Sequence, residues 1–204
     1  IFASHFHADH YAPVIFQLGE KRENVFYILS KEIGKKIPEE YRKRYKDRIR
    51  LVKAGERFCL NISEESLIVE TFHSTDEGVA FWLSCEGKEI YHAGDLNNWW
   101  WEGEDMAWNR NMAASYKQEM KKLSGRTADL AFIPVDPRQE QWFYLGVAGF
   151  MEQADTKWIF PMHFWGEYDV AERLKALPCS EPYRDRIVEI DREGQCFEIG
   201  RCGE

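Results

Sequence analysis

Little in this chain can be cross-linked, threaded through a bilayer or wrapped around a long polyanion. Its five cysteines, Cys59, Cys85, Cys179, Cys196 and Cys202, are odd in number and form no C-x-x-C pair. That spacing fits neither a zinc ribbon nor a disulfide framework, and free thiols in a reducing cytoplasm are expected. No apolar run approaches the ~20 residues that span a membrane, and the chain from Ile1 onward shows no charged segment followed by an apolar one. A soluble, cytoplasmic protein without a membrane partner is the expectation. Basic residues are also short, 27 Lys and Arg against 35 Asp and Glu, for a formal net charge of −8. A sequence-independent grip on nucleic acid needs the opposite balance, because it works by displacing phosphate counterions. The 7 prolines and 14 glycines are scattered, and no repeat or low-complexity stretch divides the chain. One domain over residues 1–204 is therefore expected, with 44% hydrophobic and 15% aromatic content to fill its core.

The order of patterns is that of a layered α/β chain. Ile1 to Ser4 reads as the end of a buried strand, Pro13 to Leu18 as a short helix closed by Gly19, and Asn24 to Leu29 as a second strand. Lys31 to Arg50 is rich in charge, and Pro38-Glu39-Glu40 opens a helix there with acid first and base later. A solvated face is the ordinary reading of such a run. Leu67 to Phe72, Val79 to Cys85 and Glu89 to His92 read as strands, the last two joined by Glu86-Gly87-Lys88. Met112, Tyr116, Met120 and Leu123 recur at helical spacing over Trp108 to Leu123, with Gly125 as the stop. A βαβα rhythm follows in Leu130 to Val135, Gly146 to Ala154, Trp158 to Phe160 and Tyr168 to Leu177. Ile187 to Ile190 and Cys196 to Ile199 read as a terminal hairpin.

The chemistry sits in the histidines. There are only 6, and five lie beside residues that also bind metals. In an extended segment side chains alternate, so His5 and His7 leave the backbone on one side and can reach a single cation. A turn toward the helix at Pro13 swings Asp9 and His10 toward a second cation nearby. Imidazole and carboxylate are donors that zinc, manganese and iron accept. The plainer alternative makes these loop histidines, with Asp9 capping a helix.

His5-Phe6-His7-Ala8-Asp9-His10 resembles the H-x-H-x-D-H signature of the metallo-β-lactamase-fold hydrolases. Thr71-Phe72-His73-Ser74 resembles the segment with that family's third histidine, Tyr91-His92-Ala93-Gly94-Asp95 the strand end with its bridging aspartate, and Phe160-Pro161-Met162-His163 the strand end with its last histidine. The resemblance implies a four-layer αβ/βα sandwich, of α+β or α/β class, binding two divalent ions, zinc first, with manganese or iron also acceptable. It implies that His5, His7 and His73 hold one ion, that Asp9, His10 and His163 hold the other, and that Asp95 bridges, with Asp9 and Asp95 at the reacting centre. Gly94 would let the strand end approach the pair. His92 departs from the ligand set and reads as a core histidine or a support to a ligand. The short span from His73 to Asp95 is most similar to the compact branch of zinc-dependent hydrolases that includes ascorbate-phosphate lactonase relatives. Family members usually have several strands before the first motif, so the fold is expected to lack its first N-terminal strands or to complete its core differently.

Two cations roughly 3.5–4 Å apart activate a water between them and clamp the attacked group. Hydrolysis of a small ester, lactone or phosphodiester is thus the expected activity. Asp76 and His92 are candidates for protonating the leaving group. Asn97-Asn98-Trp99-Trp100-Trp101 should border the pocket mouth, and Arg138 could meet an anionic group, although sealing tryptophans and a solvated arginine are the simpler readings. A nuclease of the same fold is the alternative, but it should show a basic stripe or RNA-binding extension. A di-iron oxidoreductase would prefer a carboxylate where His7 stands and would need a flavin domain. A catalytically silent metal-binding module is a further alternative, and oligomerisation is left open.

Overall fold

The computed structural model of the chain describes residues 1–22, 24–62 and 65–198. Two sheets form its centre. The first holds β1 (Phe2–Ala3), β2 (Tyr27–Ser30) and β3 (Ile49–Val52), all parallel, with β2 in the middle. All four β2 residues are buried, as a central parallel strand covered on both faces requires. The second sheet runs in chain order: β4 (Arg57–Ile62), β5 (Glu65–His73), β6 (Val79–Cys85), β7 (Lys88–His92), β8 (Thr127–Pro134) and β9 (Asp155–Met162). Strands β4 to β7 pair antiparallel, and β7 to β9 pair parallel.

Side-chain alternation sorts the core into layers. Ile28 and Val52 of the first sheet meet Val69, Val79 and Phe81 of the second. Tyr27 and Leu29, pointing the other way from Ile28, pack with Phe16 of α1 (Ile15–Lys21) and with Tyr45, the residue that follows α2 (Glu39–Arg44). Ala80 and Trp82, between and beyond Val79 and Phe81, face the outer helices α3 (Met106–Met120), α4 (Leu145–Gln153) and α5 (Val170–Ala176) through Tyr116, Phe150 and Leu174. The order is helix, sheet, sheet, helix. Asp105 caps α3 by accepting from the Trp108 amide at 2.8 Å, and the β6–β7 turn places Glu86 and Gly87 at φ 51° and 71°, a hairpin turn matched to strand twist.

Three readings change. The terminal hairpin is absent among the described residues: Ile187 makes a single parallel bridge to Ile159, and 196–198 form no strand. The tail is mostly exposed there, so its alternation buries nothing; Ile199 and Cys202 lie outside the described residues. Strands β3 and β4 were hidden by the charges of Arg50, Lys53, Glu56 and Arg57. Gly19 does not end α1 but lies inside it, where a Cβ would sit 2.2 Å from the Tyr27 hydroxyl and 3.3 Å from Tyr45 Cζ.

That crowding reverses the usual sign of a helix substitution. Alanine in place of a helical glycine ordinarily stabilises by about 1 kcal/mol. Gly19→Ala should instead destabilise by about 1–3 kcal/mol, the range for overpacking. A urea midpoint equal to or above that of the wild type would overturn this account.

Candidate metal centre

One end of the sandwich collects the loops that follow the parallel strands, where open α/β sheets place their ligands. Strand β1 runs out into Ser4 and His5, β7 into Gly94 and Asp95, β8 into Asp136, and β9 into His163. Beyond β1 the chain bends at Phe6 and His7, and the His7 carbonyl accepts from the amides of His10 and Tyr11 at 3.0 and 2.8 Å. His5 and His7 are therefore not successive positions of an extended strand. Their rings still meet, with His5 Nε2 and His7 Nδ1 3.0 Å apart.

Among the described residues two donor groups result, each with its atoms within 4.8 Å of one another: His5, His7, Asp76 and Asp95, and Asp9, His10 and His163. In the first, Asp95 Oδ2 lies 3.4 Å from His5 Nε2, and Asp76 Oδ2 lies 3.8 Å from His7 Nδ1. In the second, Asp9 Oδ2 lies 3.4 Å from the Nε2 atoms of both His10 and His163. The other oxygen of Asp95, Oδ1, faces this second group at 3.1 Å from His10 Nε2 and 3.7 Å from His163 Nε2. It is buried and has no aligned hydrogen-bond partner among the described residues. Donors held about 2.1 Å from a shared tetrahedral ion lie about 3.4 Å from each other, so the spacings fit a cation inside each group.

The far sides of the rings are held. Ser4 Oγ lies 3.1 Å from His5 Nδ1 and 3.3 Å from His10 Nδ1, and Asp136 Oδ2 lies 2.8 Å from His163 Nδ1. Each contact leaves Nε2 facing the centre, the arrangement that orients metal-bound imidazoles. Nothing in the sequence marks Ser4; Asp136 follows a strand end, a signal shared by many loop residues. Gly78 and Gly94 make room for Ser4. Their φ angles are +72° and +54°, and Cβ atoms there would fall 1.9 Å from the Ser4 carbonyl oxygen and 2.6 Å from Ser4 Cβ. Gly94 thus admits Ser4, and through it His5 and His10.

His73 stands in neither group. It is the last residue of β5, its side chain is exposed, and its amide donates to Glu119 Oε2 at 3.3 Å. The next turn reaches the centre instead, because the Thr75 hydroxyl donates to the Asn97 carbonyl at 2.6 Å and ties Asp76 to the Asp95 loop. The structure thus does not bring His73 together with the other six expected ligands. His92 also lies outside both groups: Nδ1 accepts from the Gly94 amide at 3.1 Å and the ring stacks on Phe132.

Charges follow burial and neighbours. Burial, with repulsion from His10 and His7, holds His5 down at about 4 despite Asp95. Burial would raise Asp95, but the imidazoles of His10, His163 and His5 outweigh it and keep its carboxyl below the usual range. Burial likewise opposes ionisation of Asp136, and hydrogen bonds from His163 and Arg138 more than offset it. Burial would lower His163, yet the bond to Asp136 and the nearby carboxylates raise it. The centre is thus poised with anionic carboxylates and outward-braced rings.

A cavity of about 350 Å³ opens onto His7, Asp9, Asp76, Asp95 and His163. Trp99, Trp101, Trp165 and Arg138 help to wall it. Trp99 and Trp101 stack 5.8 Å apart and nearly parallel, and the Trp99 indole donates to the Asp95 carbonyl at 2.9 Å. Trp100 turns away onto Trp142. The aromatic loop therefore both braces Asp95 and borders the cavity.

His92 supplies a pH test. Burial, with His10 adding repulsion, pushes it from 6.5 down to about 4. Below pH 6.5 an unfolded chain takes up a proton here that the folded chain refuses until about pH 4. Metal-free protein should thus lose stability as pH falls through this window, by up to roughly 3 kcal/mol from this residue at 1.36 kcal/mol per pH unit. Urea midpoints at pH 7 and pH 5 should show the loss, and His92→Gln should lessen it, leaving the share that His5 contributes in the same window. An equally steep loss in His92→Gln would contradict the assignment.

No protein-family profile matches the chain, and no curated protein shows significant sequence similarity to it. Solved structures do. Zinc-bound PqqB from Methylobacterium extorquens is 13% identical at a TM-score of 0.44, covering 80% of this chain and 58% of that one. A diphosphatase from the PhnP family is 11% identical at 0.42, covering 80% and 59%. The metallo-β-lactamase-fold protein YhfI from Bacillus subtilis is 11% identical at 0.44, covering 85% and 69%. The chain thus spans under two thirds of the length of PqqB and of the diphosphatase. The chain's own layers are two facing sheets with helices outside both, a four-layer αβ/βα sandwich.

Proposed function

We propose that the chain is a metal-dependent hydrolase of a small ester, lactone or phosphodiester, with two divalent cations, zinc first, as its cofactors. One observation carries this reading: the two oxygens of Asp95 face two separate sets of imidazoles at ligand-to-ligand spacing. His5, His7, Asp76 and Asp95 would hold one cation, and Asp9, His10 and His163, with Asp95 between, the other. The nitrogen and oxygen donor set suits zinc and also accepts manganese or iron. Bound there, the cations supply Lewis-acid polarisation and an activated water at neutral pH.

The chain's residues do the rest. Asp95 fixes the separation of the two groups, and Ser4 and Asp136 keep the rings turned inward. Asp9 and Asp76, with side chains 35% and 47% exposed, are the carboxylates most open to the cavity. The indoles restrict water at the same place, and the cavity volume is that of a small-molecule site.

Metal analysis should find about two equivalents per chain, on the two-metal logic. Because loss of a mere support to a ligand costs about 10–100-fold, Asp95→Ala should lose at least about 100-fold in turnover along with bound metal. Asp76→Asn should lower metal content where His73→Asn does not. Two equivalents and full turnover in Asp95→Ala would refute the bridging role.

A further inference from the structure

The chain strains its backbone beside the cavity. His163 and Trp165 adopt φ of +63° and +54°, a region that bulky side chains rarely enter and that persists only when the surroundings impose it. His163 has a reason, since the turn aims its ring at the centre. Trp165 does not serve packing in the ordinary way, because it remains 55% exposed. What it faces is Arg138, whose guanidinium lies 4.5 Å from the Trp165 ring centroid and 5.9 Å from that of Trp101.

Asp136 locks this arrangement. It is fully buried, and its Oδ2 accepts from Arg138 Nη2 at 2.5 Å, from His163 at 2.8 Å and from the Trp165 indole at 3.4 Å. Arg138 Nε adds bonds to both Asp136 oxygens at 3.0 and 3.1 Å. The guanidinium is thus fixed along one edge, while Nη1 has no hydrogen-bond partner among the described residues and the side chain is 51% exposed at the cavity wall. A pre-positioned guanidinium edge beside an indole face is suited to a planar group next to an anion.

Resting on the hydrolase reading, we infer that Arg138 and Trp165 select, among esters, one that carries its own negative charge beside a flat ring: an aryl or similarly planar phosphodiester rather than a neutral lactone. Arg138 meets the phosphoryl oxygen that faces away from the donor groups, and Trp165 with Trp101 covers the ring. Base and substituent identity are not fixed by this wall, because an indole face accepts any flat ring.

The test uses zinc-loaded wild type, Arg138→Gln, Arg138→Lys and Trp165→Leu. Binding of phenyl phosphate and of inorganic phosphate is followed by indole fluorescence, zinc content is measured for each variant, and kcat and KM are taken for bis(4-nitrophenyl) phosphate and 4-nitrophenyl acetate. Arg138→Gln should weaken phenyl phosphate about tenfold or more, as loss of a charge-assisted hydrogen bond does. Arg138→Lys should recover only part of this, since an ammonium cannot grip Asp136 bidentately and keep a free edge. Trp165→Leu should remove the preference for phenyl phosphate over inorganic phosphate. The ratio of kcat/KM for the phosphodiester to that for the acetate should fall in Arg138→Gln, through KM. Unchanged phenyl phosphate affinity in Arg138→Gln, or zinc loss in that variant, would overturn direct recognition. Normal phenyl phosphate discrimination in a protein that hydrolyses neither ester would support the recognition edge and count against the hydrolase reading alone.

Discussion

Lone pairs aimed at a common point repel one another, and the end of this sandwich holds two such sets joined through Asp95. The rest of the site answers to that repulsion. Rings free to turn would point their lone pairs outward to water, so each needs a contact behind it. Ser4 supplies two and Asp136 one. A cation in either group replaces repulsion with bonding, and its binding energy then adds to the stability of the fold that positions the donors.

The supports are themselves tightly connected. Asp136 is shared by His163, Arg138 and Trp165, and Trp99 stands against His163 while its indole holds the Asp95 carbonyl. Aromatic wall and donor centre are consequently one construction rather than a site with a decorated mouth. The left-handed backbone at His163 and Trp165 is sustained by these bonds, and a change in one partner reaches the others across a single carboxylate.

Much of this was legible along the chain because its signals are short. The spacing of His5, His7, Asp9 and His10 needs only one bend, and Asp95 and His163 follow apolar strands that could be read from their composition. Strands β5 to β9 and helix α3 declared themselves by periodicity. Asp76 was harder to place, since its approach depends on a hydroxyl contact from Thr75 to a loop over twenty residues away. Ser4 carries no pattern at all, and its role exists only where Gly78 and Gly94 allow contact. Strands β3 and β4 were concealed by charges that an exposed edge tolerates, whereas the tail alternated without any surface to cover.

The crowding of Gly78 and Gly94 around Ser4 also bears on how the molecule comes together. Ser4 follows the first sheet, both glycines belong to loops of the second, and the donors are divided in the same way: His5, His7, Asp9 and His10 on one side of the seam, Asp76, Asp95 and His163 on the other. Cations bound here would be rivets across that seam. Neither half can assemble both donor groups by itself, so affinity for such ions would double as a gauge of how closely the two slabs have docked.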